Sequence, residues 1–117
     1  MGIVEFLEAR IAEDEALARA ASHQKIAGPF HGNWRHDSLH LSSMEREDAK
    51  HIARHDPARV LAECAAKRAI VADRKRIDRS VGMHEWYSGY SDANYDALKA
   101  LAAVYRDHPE YNQEWAL

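Results

Sequence analysis

The sequence predicts a mostly α-helical fold of three to four helices, with at most a short β-hairpin around residues 30–42. Apolar residues recur at helical spacing over three long segments of the chain. Capping residues, a proline and glycine-containing breaks separate these segments. A length of 117 residues fits a compact single domain, residues 1–117, in which all helices share one core.

The first segment has the pattern of an amphipathic helix from about residue 2 to residue 22. Its apolar stripe consists of Ile3, Phe6, Leu7, Ile11 and Leu17. Acidic and basic residues fill the positions between them, as expected for a helix that packs one face on a core. The sequence therefore predicts a long first helix.

The segment after this helix alternates with a period of two residues. Glycines and a proline precede it, and the alternation runs through Trp34, His36, Ser38, His40 and Ser42. Such alternation is typical of a β-strand or a small hairpin. An isolated hairpin is marginally stable in water, so it would need a helix to cover it.

A break between two helices is predicted at Asp56-Pro57. Ser42 and Glu45 have the spacing of a capping box, which opens a helix that continues to about His55. The residue before a proline is disfavoured in the α region, whereas proline suits the first position of a helix. Asp56 can accept a backbone N–H as N-cap. A long helix from residue 57 to about residue 80 follows.

The aromatic segment Met83–Tyr90 has no clear period and is interpreted as a loop. The last helix is then expected to begin at Ser91 or Asp92, either of which can serve as N-cap. The tail after it is expected to fold back as a turn. The residues expected in the core at this end of the chain are Tyr95, Tyr105, Tyr111 and Trp115.

Composition restricts the function classes. The formal net charge of −3 gives no general attraction to nucleic acid or anionic lipid. No apolar run reaches the roughly 18 residues that a membrane span needs, and the acidic N-terminal segment differs from a signal peptide. We therefore expect a cytoplasmic protein with no membrane partner. The single cysteine, Cys64, is expected to be a small buried thiol.

Two motifs carry a resemblance to a known family. They are HIARHDPARVLAECAAKRAIV, from His51 to Val71, and VYRDHPEYNQEW, from Val104 to Trp115. With the first helix, they resemble a family of small proteins of unknown function found in actinobacteria and their phages. The resemblance implies a helical layout, but no activity, substrate or catalytic residue. Relatives carry cysteines between the long helix and the last helix, which this chain lacks, so no thiolate metal site is implied.

Eight histidines raise the alternative of a metal-binding protein. His51 and His55, at positions i and i+4, share one face of a helix, so their imidazoles can converge on one ion. His36, His40 or His84 could complete the site, with Asp37 or Asp56 as an oxygen ligand. The expected role of His55 is structural, because an imidazole beside a helix end can hydrogen-bond the last carbonyls. Both interpretations stay open.

A basic stretch in the long helix raises the alternative of nucleic-acid binding. Its cations are Lys67, Arg68, Arg74, Lys75, Arg76 and Arg79. Such residues neutralise phosphates, while nearby aromatic residues stack on unpaired bases. The other interpretations are a solvated face or pairing with the acidic first helix, because the patch is interrupted by carboxylates on a protein of negative net charge.

The leading hypothesis is a non-enzymatic protein-interaction module. No phosphate-binding glycine loop, nucleophile elbow or cysteine–histidine pairing is recognisable, so no catalytic residue and no cofactor is assigned. Trp86, Tyr87 and Tyr90 are the candidate partner-binding residues, because rigid amphipathic rings are common interface anchors. The expected partner is another protein, a host component if the chain is phage-derived, or a second copy of the chain.

Overall fold

The structure, a computed structural model, describes residues 1–22, 46–80 and 86–117, excluding the side chains of Trp86 and Tyr87. This part of the chain is helical almost throughout and contains no β-strand, which confirms the predicted mostly α class. The hairpin predicted around residues 30–42 lies outside the described residues. The helices are α1 (Ile3–Ala21), α2 (Arg46–Arg54), α3 (Pro57–Arg79) and α4 (Trp86–Ala102), followed by 3-10 turns at Ala103–Tyr105 and Gln113–Trp115.

The chain divides into two compact units. The first consists of Met1–Ala12 and Ala66–Leu117, and the second of Glu13–Ala65. Helices α1 and α3 each contribute residues to both units. The single domain expected over residues 1–117 stays a prediction. None of the helices in the described ranges is long and apolar enough to cross a membrane.

Helix α1 has nearly the predicted bounds, but one residue of its predicted apolar stripe is wrong. Phe6, Leu7 and Ile11 are fully buried, whereas Leu17 is 71% exposed. The reason is the helical period: position 17 lies six residues after Ile11 and points away from its face. Position 18 lies seven residues, or two turns, after Ile11. Ala18 is accordingly the buried residue.

The break between α2 and α3 is confirmed. Helix α2 ends at Arg54 and α3 begins at Pro57. The backbone N–H of Arg59 donates to Asp56 Oδ1 at 2.9 Å, which is the N-cap interaction that the sequence predicts. The capping box at residues 42–45 lies outside the described residues. The long helix therefore begins where proline and aspartate place its first turn.

Replacing Asp56 with alanine is expected to lower the free energy of unfolding by about 1 kcal/mol, within the roughly 0.5–2 kcal/mol range for lost N-caps. The backbone N–H of Arg59 would lose its acceptor. Urea unfolding measures the change. Asp56→Asn is the matched control, because an amide oxygen accepts the same hydrogen bond; equal losses in both variants would contradict the capping role.

Helix α4 begins earlier than predicted. It starts at Trp86, so the interpretation of Met83–Tyr90 as a loop is wrong from residue 86 onward. Hydrogen bonds with α3 hold the next two turns of α4. Arg74 donates to the Ser91 carbonyl oxygen at 3.1 Å and to its hydroxyl at 2.9 Å, and the Asn94 side chain donates to the Ile70 carbonyl oxygen at 3.2 Å. Ser91 is therefore an interior residue of α4 rather than its N-cap.

The core of the first unit is centred on Phe6, against which the C-terminal tail packs. The ring centroid of Phe6 lies 6.2 Å from that of Tyr105, 6.1 Å from Tyr111 and 5.0 Å from Trp115. Trp115 is buried, and the two tyrosines are half-buried. The backbone N–H of Glu114 donates to Asn112 Oδ1 at 3.0 Å and caps the last 3-10 turn. The predicted return of the tail is confirmed.

Tyr95 does not belong to this core. Its side chain is 39% exposed, so its predicted core position is wrong. The buried face of α4 is formed by Asn94, Leu98 and Ala102, which are spaced four residues apart. Tyr95 lies about 100° around the helix from Asn94 and thus at the edge of this face.

Candidate functional site

An open cleft of about 670 Å³ lies in the first unit, between the start of α1 and the C-terminal half of α3. The cleft is lined by residues of three helices that are distant in the sequence. They include Ile3, Val4 and Glu5 from α1, Arg74, Lys75, Asp78 and Arg79 from α3, and Tyr95 from α4. Three of these side chains are cations and two are carboxylates. The cleft therefore combines positive charge with an exposed aromatic ring.

Two of the three cations of the cleft, Arg74 and Lys75, are held by contacts within the protein. Arg74 Nη2 lies 2.8 Å from Asp78 Oδ1, and Arg74 Nη1 donates to the carbonyl oxygen of Ser91 on α4. Lys75 forms an ion pair with Glu8 on α1. These contacts fix the direction in which the positive groups point. Arg79 is exposed at the same wall.

Two further members of the predicted basic patch also have partners in the first unit. Arg76 lies 2.7 Å from the Asp73 carboxylate, and Lys67 Nζ lies 3.3 Å from the Tyr105 hydroxyl. Pairing with the acidic first helix is confirmed at Lys75, whereas Arg74 and Arg76 pair with carboxylates of their own helix. The last member of the patch, Arg68, is exposed. The patch therefore includes cations paired with neighbouring carboxylates and is not a continuous basic stripe.

Of the predicted partner-binding residues, Tyr90 has a described side chain. It is 41% exposed, and its hydroxyl lies 3.5 Å from Arg76 Nη2. The side chains of Trp86 and Tyr87 lie outside the described residues, although both belong to the first turn of α4. Sequence reasoning missed Tyr95, the aromatic residue in the cleft, because helical spacing alone could not decide which side of α4 faces the core.

The histidine pair lies at the end of α2. The ring centroids of His51 and His55 are 4.4 Å apart, and His55 Nδ1 lies 2.9 Å from the His51 carbonyl oxygen. The predicted capping role of His55 is therefore confirmed. His40 and His84 lie outside the described residues. Within the described ranges, no group of three or more His, Cys, Asp or Glu side chains is placed to hold a metal ion.

A buried arginine, missed by sequence reasoning, links α1 to the tail. Arg10 is 6% exposed, and its Nη1 lies 2.9 Å from His108 Nδ1 and 3.3 Å from Glu110 Oε2. The guanidinium also lies 5.3 Å from the centroid of the Phe6 ring. The His108 ring also accepts the backbone N–H of Glu110 at 3.0 Å. The sequence contains one indication that Arg10 is buried: it lies four residues after Phe6, on the apolar face of α1.

The fold and these surfaces define a small helical protein whose first unit carries an open cleft of mixed charge. The chain belongs to a family of unknown function, DUF6221, whose model matches residues 1–117. Comparisons with curated proteins and with solved structures find no match. The tail motif that carries the family resemblance includes Tyr105, His108, Tyr111 and Trp115, all of which pack on Phe6. This part of the motif therefore has a structural role.

Proposed function

We propose that this protein is a non-enzymatic interaction module that binds another protein through the cleft between α1 and α3. The observation that carries the proposal is the open cleft whose lining combines Arg74, Lys75 and Arg79 with the exposed side chain of Tyr95. Tyrosine and arginine are the residue types that most often anchor protein interfaces.

The chemistry of the cleft favours a partner segment that carries both carboxylates and an apolar side chain. Arg74 and Lys75 are paired with Asp78 and Glu8, and the exposed Arg79 is the cation placed to attract a carboxylate of the partner. The ring of Tyr95 and the half-buried Val4 offer an apolar surface that a partner side chain would remove from water. The contacts of Arg74 with Asp78 and Ser91 hold its guanidinium group in place. Binding a partner therefore costs less side-chain entropy at this residue.

A protein partner is favoured over nucleic acid. Arg74, Lys75 and Arg76 already contact carboxylates of this chain, so a phosphate backbone would compete with those groups for the same cations. Glu5 and Asp78 would also repel phosphates that entered the cleft. A polypeptide can place its carboxylates at selected positions, whereas a nucleic acid carries a charge on every nucleotide.

The non-enzymatic part of the proposal rests on the exposure and the contacts of the two carboxylates in the cleft. Glu5 and Asp78 are solvent-exposed, and Asp78 pairs with Arg74. Asp78 thus fixes the guanidinium of Arg74, and Glu5 adds negative charge to the cleft, which are roles in binding rather than in catalysis.

The experiment is affinity capture from an actinobacterial lysate, the source that the family resemblance favours, with matched surface variants of the tagged full-length protein. The cleft variant combines Arg79→Glu with Tyr95→Ala. The control combines Arg106→Glu with Val104→Ala, which makes the same charge change and also shortens an exposed side chain. Melting temperatures of all three proteins establish that both variants are folded. We expect a protein that is captured by the wild type and the control, survives nuclease treatment and is lost with the cleft variant.

Equal capture by the two variants would contradict the cleft as the binding surface. Material that disappears with nuclease would replace the protein partner with nucleic acid. A variant with both Trp86→Ala and Tyr87→Ala extends the test to the first turn of α4, where the sequence predicts partner-binding residues. If these side chains are exposed anchors, capture falls while the melting temperature stays near that of the wild type.

A further inference from the structure

The end of α2 brings together the imidazole rings of His51, in its last turn, and His55, directly after it, on a solvent-facing surface. His51 and His55 are both exposed, their ring centroids are 4.4 Å apart, and their planes are inclined by 42°. Residues four positions apart lie one above the other on a helix, so both rings project from the same face. Both side chains are therefore accessible to an ion from solution.

A backbone contact fixes the orientation of the second ring. His55 Nδ1 lies 2.9 Å from the carbonyl oxygen of His51. A carbonyl oxygen only accepts, so Nδ1 carries the hydrogen and donates it. In neutral His55 the lone pair is then on Nε2. Metal-binding histidines commonly have this arrangement, in which a hydrogen bond from one ring nitrogen fixes the tautomer and orients the other nitrogen toward the ion.

The electrostatics of the helix end favour a cation there. The final carbonyl groups of a helix carry partial negative charge. The formal charges within four residues of the pair balance, with three cations that oppose a metal ion and three carboxylates that attract one: Lys50, Arg54 and Arg59 against Glu47, Asp48 and Asp56. The structural role of His55 and metal binding are compatible, because capping uses Nδ1 and leaves Nε2 available.

We propose that His51 and His55 form a surface site for a divalent transition-metal ion that prefers imidazole, of the class of Cu²⁺, Ni²⁺ and Zn²⁺. Imidazole ligands suit these ions, whereas Ca²⁺ and Mg²⁺ prefer oxygen ligands. Within the described residues the site has two protein ligands, and water completes the coordination. The affinity follows the general order for nitrogen ligands, with Cu²⁺ bound most tightly. The proposal is independent of the partner-binding cleft, which lies in the other unit.

The test is calorimetric titration of the untagged full-length protein with Cu²⁺, Ni²⁺, Zn²⁺ and, for comparison, Mg²⁺. The informative variant exchanges two neighbouring residues, Lys50→His together with His51→Lys. It keeps the net charge and all eight histidines of the chain, but moves one imidazole off the shared face. His55→Gln is the second variant. Melting temperatures without metal check that all proteins are folded.

We expect wild-type binding of Cu²⁺ and a loss of at least about tenfold in affinity in both variants, since removing even an outer partner of a metal ligand costs about 10–100-fold. Electron paramagnetic resonance of the Cu²⁺ complex should report two nitrogen ligands in the wild type and fewer in the exchanged variant. Unchanged affinity after the exchange, or binding of Mg²⁺ as tight as that of Cu²⁺, would overturn the proposal, as would the absence of wild-type binding.

Discussion

Replacing Phe6 with alanine is expected to lower the free energy of unfolding by about 3–5 kcal/mol, the range for large aromatic residues in protein cores. The Phe6 side chain is fully buried. Its ring contacts His108 at a centroid distance of 5.7 Å and lies under the guanidinium of Arg10 at 5.3 Å. The substitution would therefore leave a cavity and remove the surface on which the tail packs. Urea unfolding followed by circular dichroism measures the loss.

A double-mutant cycle with Trp115 separates the contact from the burial of each residue alone. The two ring centroids are 5.0 Å apart, so Phe6→Ala and Trp115→Ala should be coupled by about 0.5–3 kcal/mol. Phe6→Ala with Val104→Ala is the control pair, because Val104 is exposed and the two effects should add. Additivity in both cycles would show that the tail does not pack on Phe6 as described.

The parts of the fold that were predictable from the sequence depend on local signals. The period of α1 and the cap at Asp56-Pro57 are determined by residues within a few positions of one another. The return of the tail also had a local cue, since Tyr111 and Trp115 follow the last helix at close spacing. Such signals determine where a helix begins and which residues share a face. They do not determine what that face contacts.

The parts that were missed depend on contacts between distant segments. The middle of α4 is joined to α3 by hydrogen bonds of Arg74 and Asn94, whose partners lie 17 and 24 residues away in the sequence. The link from Arg10 to His108 spans 98 positions. No local pattern reveals that a charged residue on an apolar stripe will meet an imidazole from the tail. The cleft likewise combines predictable and unpredictable residues. Its basic residues were recognisable in the sequence, whereas Tyr95 and Glu5 line the cleft only because the helices pack together.

The same substitution at two leucines of α1 tests the corrected apolar stripe. Leu7→Ala is expected to lower the free energy of unfolding by about 2–5 kcal/mol, because Leu7 is fully buried. Leu17→Ala should change it by less than about 0.5 kcal/mol, because Leu17 is 71% exposed and alanine is the stronger helix former. Thermal and urea unfolding of both variants provide the comparison. A large decrease in the free energy of unfolding for Leu17→Ala would support the original prediction that Leu17 lies on the buried face of α1. A large loss at Leu7 alone would establish that the two-turn repeat through Ala18 determines which face of α1 is buried.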